Sequence, residues 1–270
     1  MKLTFQISET RPFINWIYFF HAWGMGGQQG VEREKLRSDA EAMLDSWEDR
    51  FHTYATFEIF NANGDGDDLL LGNIRIPMLR QQKVSRQGRP SLCLTDYVRP
   101  LSSGVVDKVG AFATTVDADI ESRYQDDVYQ HMLAQVLAER LAESTAERLH
   151  ADVRKHYWGY APDENLSMTD ILNERYQGIR PAVGYPSIPD MSINFILADL
   201  LDMPQIGIHL TESGMMTPHA SVSGLMFSHP QATYFDIGKI GEDQFNDYAR
   251  RRGLPIEVMR RFLASSLIRK

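Results

Sequence analysis

Leu133, Leu137, Leu141, Thr145, Leu149 and Val153 step by fours, and Met132 and Val136 widen the stripe they make. That spacing is the signature of one buried face on a helix. It predicts a single long helix from about Asp119 to His156. At about 1.5 Å rise per residue such a helix crosses a whole domain. The rest of the chain must be arranged around it.

Upstream, Leu36, Ala40, Met43, Leu44 and Trp47 recur at helical spacing between Glu32 and His52. Pro12 to Trp23 reads as a short aromatic helix or an extended lead-in. Tyr54–Phe60 and Leu69–Ile76 read as strands around a polar turn, a hairpin. Pro90–Tyr97 and Lys108–Thr115 read as further short strands. Downstream, a second helix covers Thr169–Tyr176 behind a cap region at Ser167–Asp170, and Ser192–Leu201 forms another. Ile206–Thr211, Ser221–Phe227 and Tyr234–Lys239 look like strands, and Glu242–Arg252 and Pro255–Ser266 like two helices. Strands clustered apart from helices, without βαβ alternation, favour an α+β fold with a largely antiparallel sheet.

The 270 residues, 43% of them hydrophobic, can bury a sizeable core as one large domain or two small ones. A net charge of −8 argues against a nucleic-acid partner. The basic clusters Arg250–Arg252 and Arg80–Arg89 read as helix ends or solvated loops. The single cysteine, Cys93, excludes an intrachain disulfide and any multi-thiolate metal site. The apolar run Ile14–Phe20 is too short to span a bilayer and contains Asn15. With no signal segment visible, the expectation is a cytoplasmic protein that avoids membranes.

Several motifs imitate chemistry and fail on inspection. Asn61–Asp67 resembles a calcium loop, but Gly72 stands where the bidentate glutamate belongs; hairpin chemistry explains it better. Gly24, Gly26, Gly27 and Gly30 miss the dinucleotide fingerprint by one position. His150 and His156 lack a ligand spacing and read as surface histidines. Ser221 and Ser223 read as strand residues, and His229-Pro230 as a turn. None of these motifs supplies a metal site or a nucleophile.

The densest chemistry lies in Arg180-Pro181-Ala182-Val183-Gly184-Tyr185-Pro186, followed by Pro189. Proline removes donors and glycine admits close approach, which predicts a stiff loop with its peptide groups unpaired by neighbours. Arg180 offers a fork for a carboxylate or phosphate, and Tyr185 a ring face.

The sequence around this loop includes Tyr157–Leu166, Glu174–Ile179, Leu210–Ser213, Ala220–Gly224, Phe227–Pro230 and Asp247–Arg251. Looser matches run through Asp39–Leu44, Cys93–Tyr97 and Gly110–Ala113. Together they resemble the activation domain of cobalamin-dependent methionine synthase, its S-adenosylmethionine-binding C-terminal module. The resemblance covers essentially the whole chain and implies one domain, 1–270, with a bent antiparallel sheet flanked by helices. It implies that Arg180 meets the carboxylate of S-adenosylmethionine. Main-chain groups of Ala182, Gly184 and Tyr185 would border the adenosyl part, and Tyr234 would close over it. Glu143 on the long helix and Glu174 just before the loop are candidate partners for the ligand's positive end, with solvated helix-face charges as the alternative reading. Two departures accompany it. Asn15-Trp16 stands where the family has an aspartate before a tryptophan, and Phe235 replaces the second tyrosine of a pair. Loss of the charge-assisted bond implies a site roughly tenfold weaker.

The resemblance further implies reductive remethylation of cobalamin, with a flavodoxin-type electron donor. The chain lacks the Asp-x-His-x-x-Gly cobalamin signature, so the cobalamin is expected on a separate methionine synthase chain. A non-catalytic sensor or chaperone module, and a reactivator of another corrinoid methyltransferase, stand as alternatives.

Overall fold

The computed structural model describes residues 1–27, 29–82 and 91–268. The chain opens with β1 (Lys2–Gln6), α1 (Ile7–Thr10), α2 (Trp16–Ala22) and α3 (Val31–Trp47). Strands β2 (His52–Asp65), β3 (Asp68–Leu71), β4 (Ile74–Pro77) and β5 (Asp107–Val116) follow. Next come α4 (Asp119–Ser122), α5 (Val128–Asp152), α6 (Met168–Leu172) and α7 (Ile193–Leu201). The chain closes with β6 (His209–Leu210), β7 (Met216–Thr217), β8 (Ser221–Met226), α8 (Glu242–Arg252) and α9 (Ile256–Phe262).

The main sheet runs β4-β3-β2-β5-β8, with β1 also on β2. Every pairing in it is antiparallel, as the fold class requires. β2 organises it. One edge takes β5 from Thr53 to Ala62, and the other is shared between β1 and β3. Strand twist accumulates along so long a strand, and the sheet curls into a half-barrel.

β5 lies between two cores. Phe112 and Val116 face a cluster with Leu137 and Leu141 of α5, while Val109, Ala111 and Ala113 face Ile193 and Leu197 of α7. Both faces being covered, the strand is buried from Val109 to Val116, its apolar run interrupted only by Thr114 and Thr115, whose hydroxyls bond to Ala142 O and Ala220 O.

The stripe of fours does build one long helix, but with different ends. Asp127 caps it by accepting the Gln130 N–H at 3.0 Å, so α4 is a separate turn. An aspartate competes for backbone donors at a helix start. The other end continues as a π-turn over Val153–Tyr157, giving 30 helical residues.

Other expectations are corrected. Leu69–Ile76 is two strands, β3 and β4, because Gly72 adopts φ 58° and turns the chain. Most of the calcium-like segment belongs to β2 itself. Leu94–Tyr97 is a 3₁₀ turn, its Asp96 carboxylate holding the Cys93 N–H at 2.8 Å. Residues 83–90, which hold Pro90 and most of the basic stretch after Arg80, lie outside the described residues. Ile206–Thr211 keeps only β6, because Met203–Ile206 turns as 3₁₀. Tyr234–Lys239 forms no strand. It is tied instead to the proline loop, by Ile237 N–H to Pro186 O at 3.0 Å. Thr169–Tyr176 shortens to α6, after which Glu174 adopts φ 56°. His156 is exposed, but His150 is wholly buried. His150 lies on the inner side of α5, its Nε2 3.1 Å from the Tyr160 hydroxyl.

Candidate functional site

The polar face of α5 and the proline loop enclose a cavity of about 670 Å³, within the range of small-molecule sites. Arg140, Glu143, Ser144 and Glu147 line it from the helix. Their spacing of i, i+3, i+4 and i+7 puts them on one face. The loop supplies Arg180, Pro181, Ala182 and Tyr185, and the segment tied to it supplies Tyr234 and Phe235.

The loop is not the unpaired segment that its prolines predict. It adds itself to the free edge of β8 as an irregular strand. Ile179 and Phe227 exchange both backbone bonds at 2.9 Å, Leu225 N–H reaches Pro181 O at 3.1 Å, and Val183 N–H reaches Ser223 O at 2.9 Å. Two glycines make this approach feasible. A Cβ on Gly178 would stand 2.4 Å from Phe227 O, and one on Gly224 would stand 2.3 Å from Pro181 O. Only a missing side chain fits there.

Arg180 is thereby held by its own backbone. Its N–H donates to the Tyr234 hydroxyl at 3.0 Å, and its guanidinium donates to Glu147 at 2.6 Å. Burial opposes the charge, but Glu147 and neighbouring oxygens outweigh it, so the Arg180 pKa is raised well above its ordinary value. Behind Arg180, the Tyr234 hydroxyl lies 3.5 Å from that of Tyr176. The Tyr176 ring packs 5.0 Å from His150 and 4.1 Å from the Arg154 guanidinium. The π-turn carries Arg154 into the interior, where Glu164 binds it through two bonds at 2.7 and 2.8 Å. Burial, then Arg154 and Arg180, push the His150 pKa well down, leaving it neutral.

Glu174 stands opposite Arg180, its carboxyl raised by burial, a shift that Arg180 opposes and Glu147 reinforces. The Tyr185 hydroxyl donates to Glu143, and the residue is 51% exposed at the cavity mouth. Asn15 uses its side-chain oxygen to cap α2, accepting the Ile17 N–H at 3.1 Å.

The structure therefore gathers Asn15, Glu143, Glu174, Arg180, Ala182, Tyr185, Tyr234 and Phe235 around one cavity. Gly184 is set apart from its wall. Its N–H donates to Ile188 O at 2.8 Å, and its φ of 87° shapes the turn. Sequence reasoning missed Arg140, Ser144 and Glu147 on the helix, and Asp236 beside Phe235. The helical set had a signal, since its four members share one spacing along the flank of the leucine stripe.

Two guanidinium groups, four carboxylates and several aromatic rings line this cavity. Among the described residues no cluster of His, Cys, Asp and Glu could hold a metal ion, and no helix is long and apolar enough to cross a membrane. The fold is an antiparallel half-barrel that carries a cavity of small-molecule size. The model of the family "Vitamin B12 dependent methionine synthase, activation domain" matches residues 6–253. The chain belongs to that family. A crystal structure of the MetH reactivation domain bound to AdoHcy superposes with a TM-score of 0.94 at 38% identity, covering 100% of this chain and 90% of that one.

Proposed function

We propose that this chain binds S-adenosylmethionine in the cavity and supports reductive remethylation of cobalamin on a separate, cytoplasmic methionine synthase chain. The observation that carries the reading is the placement of Arg180 and a surplus of carboxylates around one cavity of about 670 Å³. S-adenosylmethionine carries a carboxylate, an ammonium and a sulfonium, so its net charge is positive. An acid-rich wall with one held arginine complements that distribution. The relative that binds AdoHcy, which differs from S-adenosylmethionine by the transferred methyl, supports the same reading.

In this reading Arg180 takes the carboxylate, Tyr185 and Tyr234 flank the adenosyl part with the main chain at Ala182, and Glu143 and Glu174 face the cationic end. Gly184 shapes the turn that presents Tyr185. Cobalamin on the partner, once reduced by one electron from a flavodoxin-type donor, would supply the nucleophile for the methyl, and S-adenosylhomocysteine would remain in the cavity. No group of this chain transfers a proton. Its contribution is to hold the sulfonium methyl in a fixed direction and keep water away from it, an effect of several kcal/mol in general.

Isothermal titration with S-adenosylmethionine tests the binding. Micromolar affinity is expected, and Arg180→Ala should weaken it more than tenfold, the value of a lost charge-assisted bond of about 1.5–3 kcal/mol. Absence of binding to the unaltered protein would refute the site. Remethylation of inactivated cobalamin on the cognate synthase, with reductant and S-adenosylmethionine, then tests the activity. A second reading, a non-catalytic binding module, is favoured by Asn15, whose oxygen is committed to the α2 cap. Binding without any acceleration of remethylation would select it.

A further inference from the structure

Arg180 and Glu147 are joined by one bond, from Nη2 to Oε2 at 2.6 Å, with side chains 14% and 8% exposed. A guanidinium edge and a carboxylate can form two parallel bonds. Here the second is missing. Nε of Arg180 and Oε1 of Glu147 are both buried and have no hydrogen-bond partner among the described residues. A buried donor and a buried acceptor left open in one ion pair demand explanation, and both residues line the cavity.

A ligand that brings an acceptor and a donor together would complete both. The α-ammonium and α-carboxylate of an amino acid are carried on a single carbon. The acid that reads the ammonium must therefore stand beside the guanidinium that reads the carboxylate. Glu143 is engaged by the Tyr185 hydroxyl. Glu174 stands on the turn after α6, with no hydrogen bond to Arg180. Among the described residues, Glu147 alone lies within hydrogen-bond distance of the Arg180 guanidinium.

We propose that Glu147 reads the α-ammonium of the ligand while Arg180 reads its α-carboxylate, leaving Glu143 and Glu174 to the sulfonium part of the cationic end, so that the pair selects a zwitterionic α-amino-acid head. This deepens the function proposed above and rests on it. Glu147 is then a specificity residue and more than a counter-ion that holds Arg180 in place.

The test is titration of the unaltered protein and of Glu147→Gln with two probes. One is S-adenosylmethionine and the other its deaminated 2-oxo analogue, which keeps the carboxylate, sulfonium and adenosyl group. The unaltered protein should prefer the amine by about tenfold or more, as a charged hydrogen bond confers. Glu147→Gln should weaken S-adenosylmethionine by a similar factor and leave the analogue within about twofold, so that the preference disappears. Equal weakening of both probes would reduce Glu147 to a support for Arg180 and overturn the proposal. So would a preference that survives in the variant. Lack of preference in the unaltered protein overturns it without reference to how the variant folds. If the unaltered protein binds neither probe, the parent function fails as well, which distinguishes the two failures.

Discussion

Glu174 adopts φ 56°, the left-handed region that side chains with a Cβ enter at about 1–2 kcal/mol. It does so at the cavity wall, with its carboxyl pKa raised by burial and then by Glu147, against Arg180. A raised folded-state pKa means that the neutral form suits the fold better. Its contribution is favourable below the unfolded pKa and is lost as pH rises through the folded one. Glu174→Gln should therefore raise the melting temperature at neutral pH, with the gain shrinking as the pH falls into the carboxylate range, and should weaken ligand binding. Thermal unfolding across that range checks it, and a gain that ignores pH would contradict it. The site was only partly legible in the sequence, for a related reason. Proline, glycine and arginine in the loop declare themselves locally. Arg140 and Glu147 resemble a solvated helix face until a segment far along the chain covers them. Asn15 was legible as a departure, but not as a cap whose oxygen is already occupied.

Among the elements, the loop docked on β8 decides whether a site exists. Its prolines disguise a strand, because Pro181 has no N–H and offers only its carbonyl, which Leu225 takes. Period-two reasoning cannot see such an edge, so the loop was expected to stand alone. The same blindness to long-range ties made Tyr234–Lys239 look like a strand. By contrast β5 and α5 were legible, since their apolar patterns are set by faces buried from Val109 onward in β5 and from Leu133 onward in α5. The dependence on Gly224 gives a sharp expectation. A Cβ there would stand 2.3 Å from Pro181 O and 2.9 Å from Ala182 Cα, so backbone must move. Gly224→Ala should lose about 1–3 kcal/mol of stability, as overpacked sites do. S-adenosylmethionine affinity should fall more than tenfold, because Arg180 travels with the loop. Denaturant unfolding and titration measure the two effects, and unchanged affinity would show that the loop positions nothing.

At the scale of the molecule, the cavity lies where three cores meet. Helices α2, α3 and α5 bury one face of the sheet, α7 buries the other, and α8 and α9 build a third cluster with Leu79 and Ile240. The C-terminal cluster is joined by buried polar ties. The Tyr248 hydroxyl donates to Asp190 at 2.8 Å, Arg251 pairs with Asp68, and Phe235 packs against both the second core and the third. Since Phe235 also lines the cavity, a bound ligand touches groups belonging to separate clusters. The chain should consequently unfold in one transition, and ligand should shift all of it. At a free concentration about 100 times Kd, S-adenosylmethionine adds about 2.7 kcal/mol. For a chain of 270 residues that corresponds to a rise of about 5 °C, at roughly 2 °C per kcal/mol. Calorimetry with and without ligand reads this directly. A single peak displaced as a whole is expected, and Arg180→Ala should show at most about half that displacement at the same concentration. Two peaks, of which ligand moves one, would mean that α8 and α9 fold as a separate unit and that the 1–270 chain is not one cooperative domain.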